Sequence, residues 1–387
     1  MYFTLFRIVD AQGSKTAFFM KILRLTIAAF AAGLVTSIAA QAQGTTSGAT
    51  LIAVTGSATV TMPDGGTVAA VAGMALPEGA KVVTAADSKA LIQTHPGIVA
   101  GLSASTTATV EQANTDANGM RNARIGVASG TLVSQLDPSK KSSNNYSVRT
   151  PRGVAAARGT IFSTSVVVNG NTYSVTINTI TGSVTTTSVD PSTGATTTVD
   201  VGAGTSSTSN NGQQATNSTL TEALAGSGSA AVSEALQAAV AVAAIVAQAT
   251  NTTGSTLAVD GAAASTALTT VLQQVTKAAA ESGNTGLVQT TATLATQYAP
   301  NQAGSVATIT AAITNSNASA DVKTTATTSA TTGAQTGAAA APTTTVQVTT
   351  TTPSGTTTTT TTITTPNNAN NAQGQTIDPG VIVVSPN

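Results

Sequence analysis

Residues 161–178 read IFSTSVVVNGNTYSVTIN, two alternating runs joined by a short polar link. In the first run Phe162, Val166 and Val168 fall on one face; in the second, Tyr173, Val175 and Ile177 fall on one face and Ser174 and Thr176 on the other. Period-two alternation of this kind belongs to half-buried strands. Asn169-Gly170-Asn171 tolerates positive φ, as a tight antiparallel hairpin requires. The stretch therefore predicts a β-hairpin and, with it, an all-β domain.

The same texture extends in both directions. Downstream, Thr181-Gly182-Ser183 turns the chain into VTTTSV, and Asp190 to Gly194 turns it again before ATTTVDV. Upstream come TLIAVTG, SATVTM, AKVVTA, KALIQT, IVAGLSA, TATVEQA, ARIGVASG and TLVSQL, separated by turns such as Pro63-Asp64-Gly65-Gly66 and His95-Pro96-Gly97. Many short strands at regular spacing predict a mainly β domain over residues 43–202, either an antiparallel sandwich or a solenoid-like stack.

Beyond it the character changes. Residues 203–219 are rich in Gly, Ser and Asn and read as a linker. Residues 220–320 are Ala-rich with helical stripes: Leu268, Leu272 and Val275; Leu287, Leu294 and Tyr298; Val306, Ile309 and Ile313. Breaks at Gly254, Gly261, Gly283-Asn284 and Pro300-Asn301 predict four or five modest helices, packed loosely or on a partner. The run at 235–249, ALQAAVAVAAIVAQA, reads as a buried helix because it is short and Ala-rich for a membrane span. Residues 321–375 are Thr-rich low complexity, expected to be disordered or extended. Residues 376–387 end in a short apolar strand, Val381 to Val384, that would dock back as a sheet edge or join another protein's sheet.

At the other end, Lys21 and Arg24 precede an apolar run closing in Ala40-Gln41-Ala42, the pattern of a secretory signal, with Met20 as the initiator and residues 1–42 removed. Export to the periplasm, the outer-membrane surface or the exterior follows. Without that segment 11 basic and 14 acidic groups remain, a formal charge of −3, which gives no field to hold nucleic acid or an anionic membrane. No span is expected in the processed chain. With no Cys, disulfides, thiolate chemistry and Cys-rich metal sites are excluded; a single His argues against a His-based triad, and the chain reads as a non-enzyme without a cofactor.

Several small motifs have plain structural readings. His95 lacks a second His or a Cys and reads as a surface residue rather than a metal ligand. Asp64-Gly65-Gly66 and Asp190 to Gly194 lack the alternating carboxylates of a calcium loop and read as turns. GAGTSS at 202–207 has no strand-to-helix phosphate-binding context.

Charge is uneven, however. Seven of the 15 basic residues, Arg121, Arg124, Lys140, Lys141, Arg149, Arg152 and Arg158, fall within one 38-residue window. They serve either as solvated or carbonyl-capping side chains at turns, or as a partner-facing patch. Inside that window, VRTPRGVAAARGTIFSTSV at 148–166 has a physical logic of its own. Pro151 fixes φ and pushes Thr150 to an extended conformation; Gly153 and Gly159 permit reversals or close strand approach; Phe162 is one of few large core groups.

The stretch resembles the core of the FecR domain, the exported sensing domain of bacterial ferric-citrate-type regulators. The likeness rests on Val148, Thr150, Pro151, Gly153, Val154, Arg158, Gly159, Thr160 and Phe162. Upstream it is supported by Gly79, Thr84, Ser88, Leu91 and IGVASGTLVSQL; downstream by YSVTINTITGSVTTT with Gly182, so that it spans roughly residues 51–202. The resemblance implies a β domain that senses or binds another envelope protein, through a sheet edge and the basic window of Arg121, Arg124, Arg149, Arg152 and Arg158. Regulators of this family usually carry a cytoplasmic sigma-controlling segment and a membrane span before that domain, whereas here a signal-like segment precedes it. The alternative is a structural or adhesive surface protein that self-associates through its helical and Thr-rich region.

Overall fold

The computed structural model describes residues 48–213, 215–251 and 257–339, and the backbone of 343–352 and 355–366. The signal-like segment and the strand at Val381 to Val384 lie outside the described residues.

In chain order the strands are β1 (Ala49–Thr55), β2 (Ala58–Thr61), β3 (Thr67–Ala69), β4 (Ala75–Leu76), β5 (Lys81–Thr84) and β6 (Lys89–His95). Then follow β7 (Ile98–Leu102), β8 (Thr107–Thr115), β9 (Arg121–Leu136), β10 (Asn144–Thr150), β11 (Gly153–Ala157) and β12 (Ile161–Asn169). The last are β13 (Thr172–Thr181), β14 (Ser183–Val189), β15 (Thr196–Gly202), β16 (Thr205–Asn210) and β17 (Thr216–Thr219).

They form two layers that share β9. The inner layer runs β4-β1-β6-β7-β9-β12-β13-β16-β17. The outer layer runs β3-β2-β5-β8-β9-β10-β11-β14-β15. Pairing is antiparallel except between β9 and β10. Residues 121–129 of β9 pair in the outer layer and residues 130–136 in the inner one. Gly130 makes the passage: at φ +90 a Cβ there would sit 2.5 Å from Thr106 Cα. The fold is thus the sandwich, not the solenoid-like stack, of the two expected forms.

The hairpin that opens the sequence reading is present. Asn169 pairs with Thr172, and Gly170, at φ +59, takes the first loop position as a II′-type turn demands. Phe162, Val166, Val175 and Ile177 join Leu51, Ile92, Ile125, Tyr146 and Val148 in the core between the layers. Val168, expected on the same face, is 44% exposed, paired with Tyr173 next to the hairpin turn.

Among the described residues the α-helices are α1 (Leu220–Ala225), α2 (Ser229–Thr250), α3 (Gly261–Glu281), α4 (Thr285–Tyr298), α5 (Gln302–Thr314) and α6 (Ala320–Ala339). Their starts are capped by side chains of Thr219, Asp260, Asn284 and Asn301 for α1, α3, α4 and α5. They cover the second face of the inner layer, so that Leu91, Val99, Val133, Ile161 and Ile180 pack with helix residues in a separate core. Most of α2 is buried, although it is long and apolar enough to cross a membrane. Small residues make this packing close: a Cβ on Gly101 of β7 would fall 2.3 Å from Val242 Cγ2 of α2. The helices are therefore not loosely attached.

Three expectations need correction. Residues 203–219 are not a linker, because β16 and β17 extend the inner layer. Ser206 is buried by donating to Asn178 Oδ1 at 2.8 Å, while Asn178 Nδ2 donates to Ser163 Oγ at 3.1 Å; satisfied polar groups hide a strand from a hydrophobicity reading. The Thr-rich segment begins with a helix, α6, whose Thr324, Thr325, Thr327 and Thr328 hydroxyls donate to carbonyls four residues back. Gly333 and Gly337 let α6 approach α4 so closely that Cβ atoms there would lie 2.1 Å from Gln289 O and 2.0 Å from Thr296 Oγ1. Farther on, β18 (Thr343–Thr352) and β19 (Gly355–Pro366) pair as an antiparallel hairpin. Finally, His95 is not a surface residue but 9% exposed, its Nδ1 buried without a hydrogen-bond partner.

Candidate partner-binding site

The β10–β11 hairpin presents the sequence signature. Thr150 pairs with Gly153 across Pro151 and Arg152, and Thr150 Oγ1 donates to Gly153 O at 3.1 Å, closing the turn. Gly153 has no room for a side chain, since a Cβ would meet Thr187 O of β14 at 2.2 Å. At the far end of β11, Gly159 has φ +66 and lies against Pro138. The next residue, Thr160, is fully buried and donates to Ser183 O at 3.2 Å. Phe162 sits edge-on to Tyr146, ring centroids 6.3 Å apart, and the Tyr146 hydroxyl shares a 2.8 Å hydrogen bond with Ser134. The signature residues thus shape the sandwich.

Arginines divide among three places. Arg149 and Arg152 flank the hairpin; Arg124 stands on the open face of the outer layer, its Nε donating to Ser147 Oγ at 3.3 Å. Register places Arg121 and Arg158 at the opposite end of the layer from Arg152, because Arg121 pairs with Asn144 and Ala157 with Tyr146. There Arg121 donates to Pro96 O and to Ser143 Oγ. One window of sequence does not make one patch.

At the hairpin the two arginines have different partners. Arg149 forms a two-pronged ion pair with Glu111, Nε lying 2.7 and 2.9 Å from its two oxygens. That contact raises the guanidinium's pKa further. The pair spans β9 over Gly126, where a Cβ would come within 2.3 Å of Glu111 Oε1. Arg152 instead lies over the Tyr173 ring, 5.4 Å from its centroid, and its Nε is buried with no hydrogen-bond acceptor. Around them a groove of about 330 Å³ is bounded by Pro151, Val154, Val189 and Pro191. Val154 and Val189 are 37% and 43% exposed. A guanidinium beside small exposed apolar groups suits a peptide segment carrying a carboxylate.

Sequence reading missed Glu111 and Gly126. Their signals were a lone carboxylate within an alternating strand and a glycine in the middle of another, and only strand order relates them. Among the described residues no three His, Asp or Glu side chains gather as a metal set. Asp64 and Asp190 act in turns, their Oδ1 atoms accepting from Gly66 N and Ser192 N at 2.9 and 2.8 Å.

Fold and hairpin together define a two-layered β-sandwich with a helical backing layer. Residues 80–185 match the family described as FecR protein, a span that contains the whole signature and most of the shared core. The match is narrower than the resemblance read from sequence. Two crystal structures described as those of a candidate anti-sigma factor from Parabacteroides distasonis ATCC 8503 are similar over 36% of this chain, with 14% and 13% identity and a TM-score of 0.29. The similarity spans 59% of the length of those chains. No curated protein matches.

Proposed function

We propose that this chain is an exported, non-catalytic envelope protein whose FecR-like sandwich senses or binds a protein partner at the β10–β11 groove. The observation that carries the reading is Arg152. Its guanidinium is held on Tyr173 with Nε lacking an acceptor, between two exposed valines, inside the segment that matches the family. A carboxylate from a partner would complete its hydrogen bonds while apolar neighbours cover Val154 and Val189. Export rests on the signal-like residues 1–42.

A photo-crosslinking residue placed at position 154 or 189 of the full chain tests this in envelope fractions. One discrete adduct that disappears in Arg152→Glu and persists in Arg158→Glu supports the groove. Adducts that form equally from position 68, where Val68 is also exposed, reject it. Self-assembly through the helical region has less support, because the apolar stripes of α2 to α5 pack within this chain.

A further inference from the structure

The inner layer and α3 part at one end and leave a cavity of about 490 Å³. Its floor is a single cross-strand row: Val99 of β7 pairs with Gln135 of β9, Gln135 with Ile161 of β12, and Ile161 with Thr181 of β13. Its roof is the face of α3 that carries Ala263, Thr266, Ala267 and Thr270 at helical spacing. The wall beside β7 is pinned. Gln93 accepts from Ala258 N and donates to Ala258 O, both at 3.2 Å, and Gly97 N donates to the same carbonyl at 2.8 Å.

Gln135 is the anomaly in that floor. Its neighbours along the row, Val99 and Ile161, belong to the helix-side core, and a third apolar residue would pack there without cost. Instead Gln135 is 6% exposed and its Oε1 is buried with no hydrogen-bond partner. An unsatisfied buried carbonyl costs about 1–3 kcal/mol unless something donates to it. Asp137, 8% exposed, is the charged side chain in the lining; one of its oxygens accepts from Ser139 N at 2.8 Å. The volume lies in the range of small-molecule sites, and in its floor the Gln135 Oε1 acceptor has no donor.

We propose that this cavity binds a small neutral or cationic amphiphile, a compact apolar body bearing an amine or hydroxyl that donates to Gln135 Oε1. Anions are disfavoured by Asp137, and among the described residues no cation lines the cavity. The proposal is independent of the partner groove, which lies at the β10–β11 hairpin.

Titration calorimetry of the full chain with phenethylamine, 2-phenylethanol and 3-phenylpropionate tests it, since the three share a body and differ in the polar group. The amine and the alcohol should bind, with the carboxylate at least tenfold weaker. Gln135→Leu should weaken the first two at least tenfold, and Ala267→Phe, on a half-buried helix position, should abolish binding by filling the space. Equal binding of the three probes, unchanged affinity in Gln135→Leu, or no binding by any probe would each overturn the proposal. If Gln135→Leu does not fold, Ala267→Phe and the ranking of the probes decide.

Discussion

Individual residues in the signature act by what their positions leave no room for. Gly153→Ala would drive a methyl group into Thr187 O and should cost about 2 kcal/mol, whereas Gly170→Ala meets nothing within 4 Å and should cost about 1 kcal/mol, from backbone strain alone. Urea midpoints of the two variants check the order. Tyr146→Phe strands the fully buried Ser134 hydroxyl, for a loss of about 1–2 kcal/mol. Burial, with the charge of Arg121 adding to it, holds the His95 pKa below its ordinary 6.5, against the opposing pull of the Asn114 backbone. The unfolded chain thus takes up the proton first. The stability contributed by neutral His95 is present above 6.5 and is lost as pH falls through the folded-state pKa. Denaturation midpoints from about pH 8 to about pH 5 should fall in the native chain and flatten in His95→Gln.

Elements show why composition misled. Alanine and threonine bury little area each, so a Thr/Ala segment reads as unable to offset its ordering entropy. In α6 the small residues instead bring two backbones together, and Ala326, Ala330, Gly333 and Gly337 form its buried stripe. Gly337→Leu should detach α6 from α4. Limited proteolysis should then cut within residues 320–339, and an uncut α6 would show that the stripe does not hold it. The strand β16 was hidden for the opposite reason: its buried residues Ser206, Ser207 and Ser209 are all polar, Ser206 donating to Asn178, so no apolar alternation marks it.

At the scale of the whole molecule, the sandwich and the helices are not separable modules. Leu91, Val99, Val133, Ile161 and Ile180 form an apolar face of the inner layer that only the helices cover. A fragment of residues 48–219 should therefore bind a hydrophobic dye and self-associate, whereas residues 48–339 should remain monomeric and dye-free in sedimentation and fluorescence. A well-behaved, dye-free 48–219 fragment would contradict the shared core. The same architecture explains why the arginine window disperses: parallel pairing of β9 with β10 sends Arg121 and Arg152 to opposite ends.

The sequence by itself determined the β class, the 161–178 hairpin, most turns, the helical stripes and the FecR resemblance. Those features depend on side-chain alternation and backbone freedom within a few residues. Only the tertiary structure decided which strand enters which layer, the division of β9 at Gly130, the ion pair over Gly126 and the place of Gln135 beneath α3. Each of these depends on contacts between residues far apart in the chain, and a strand covered on both faces by sheet and helix carries no local pattern that says what covers it.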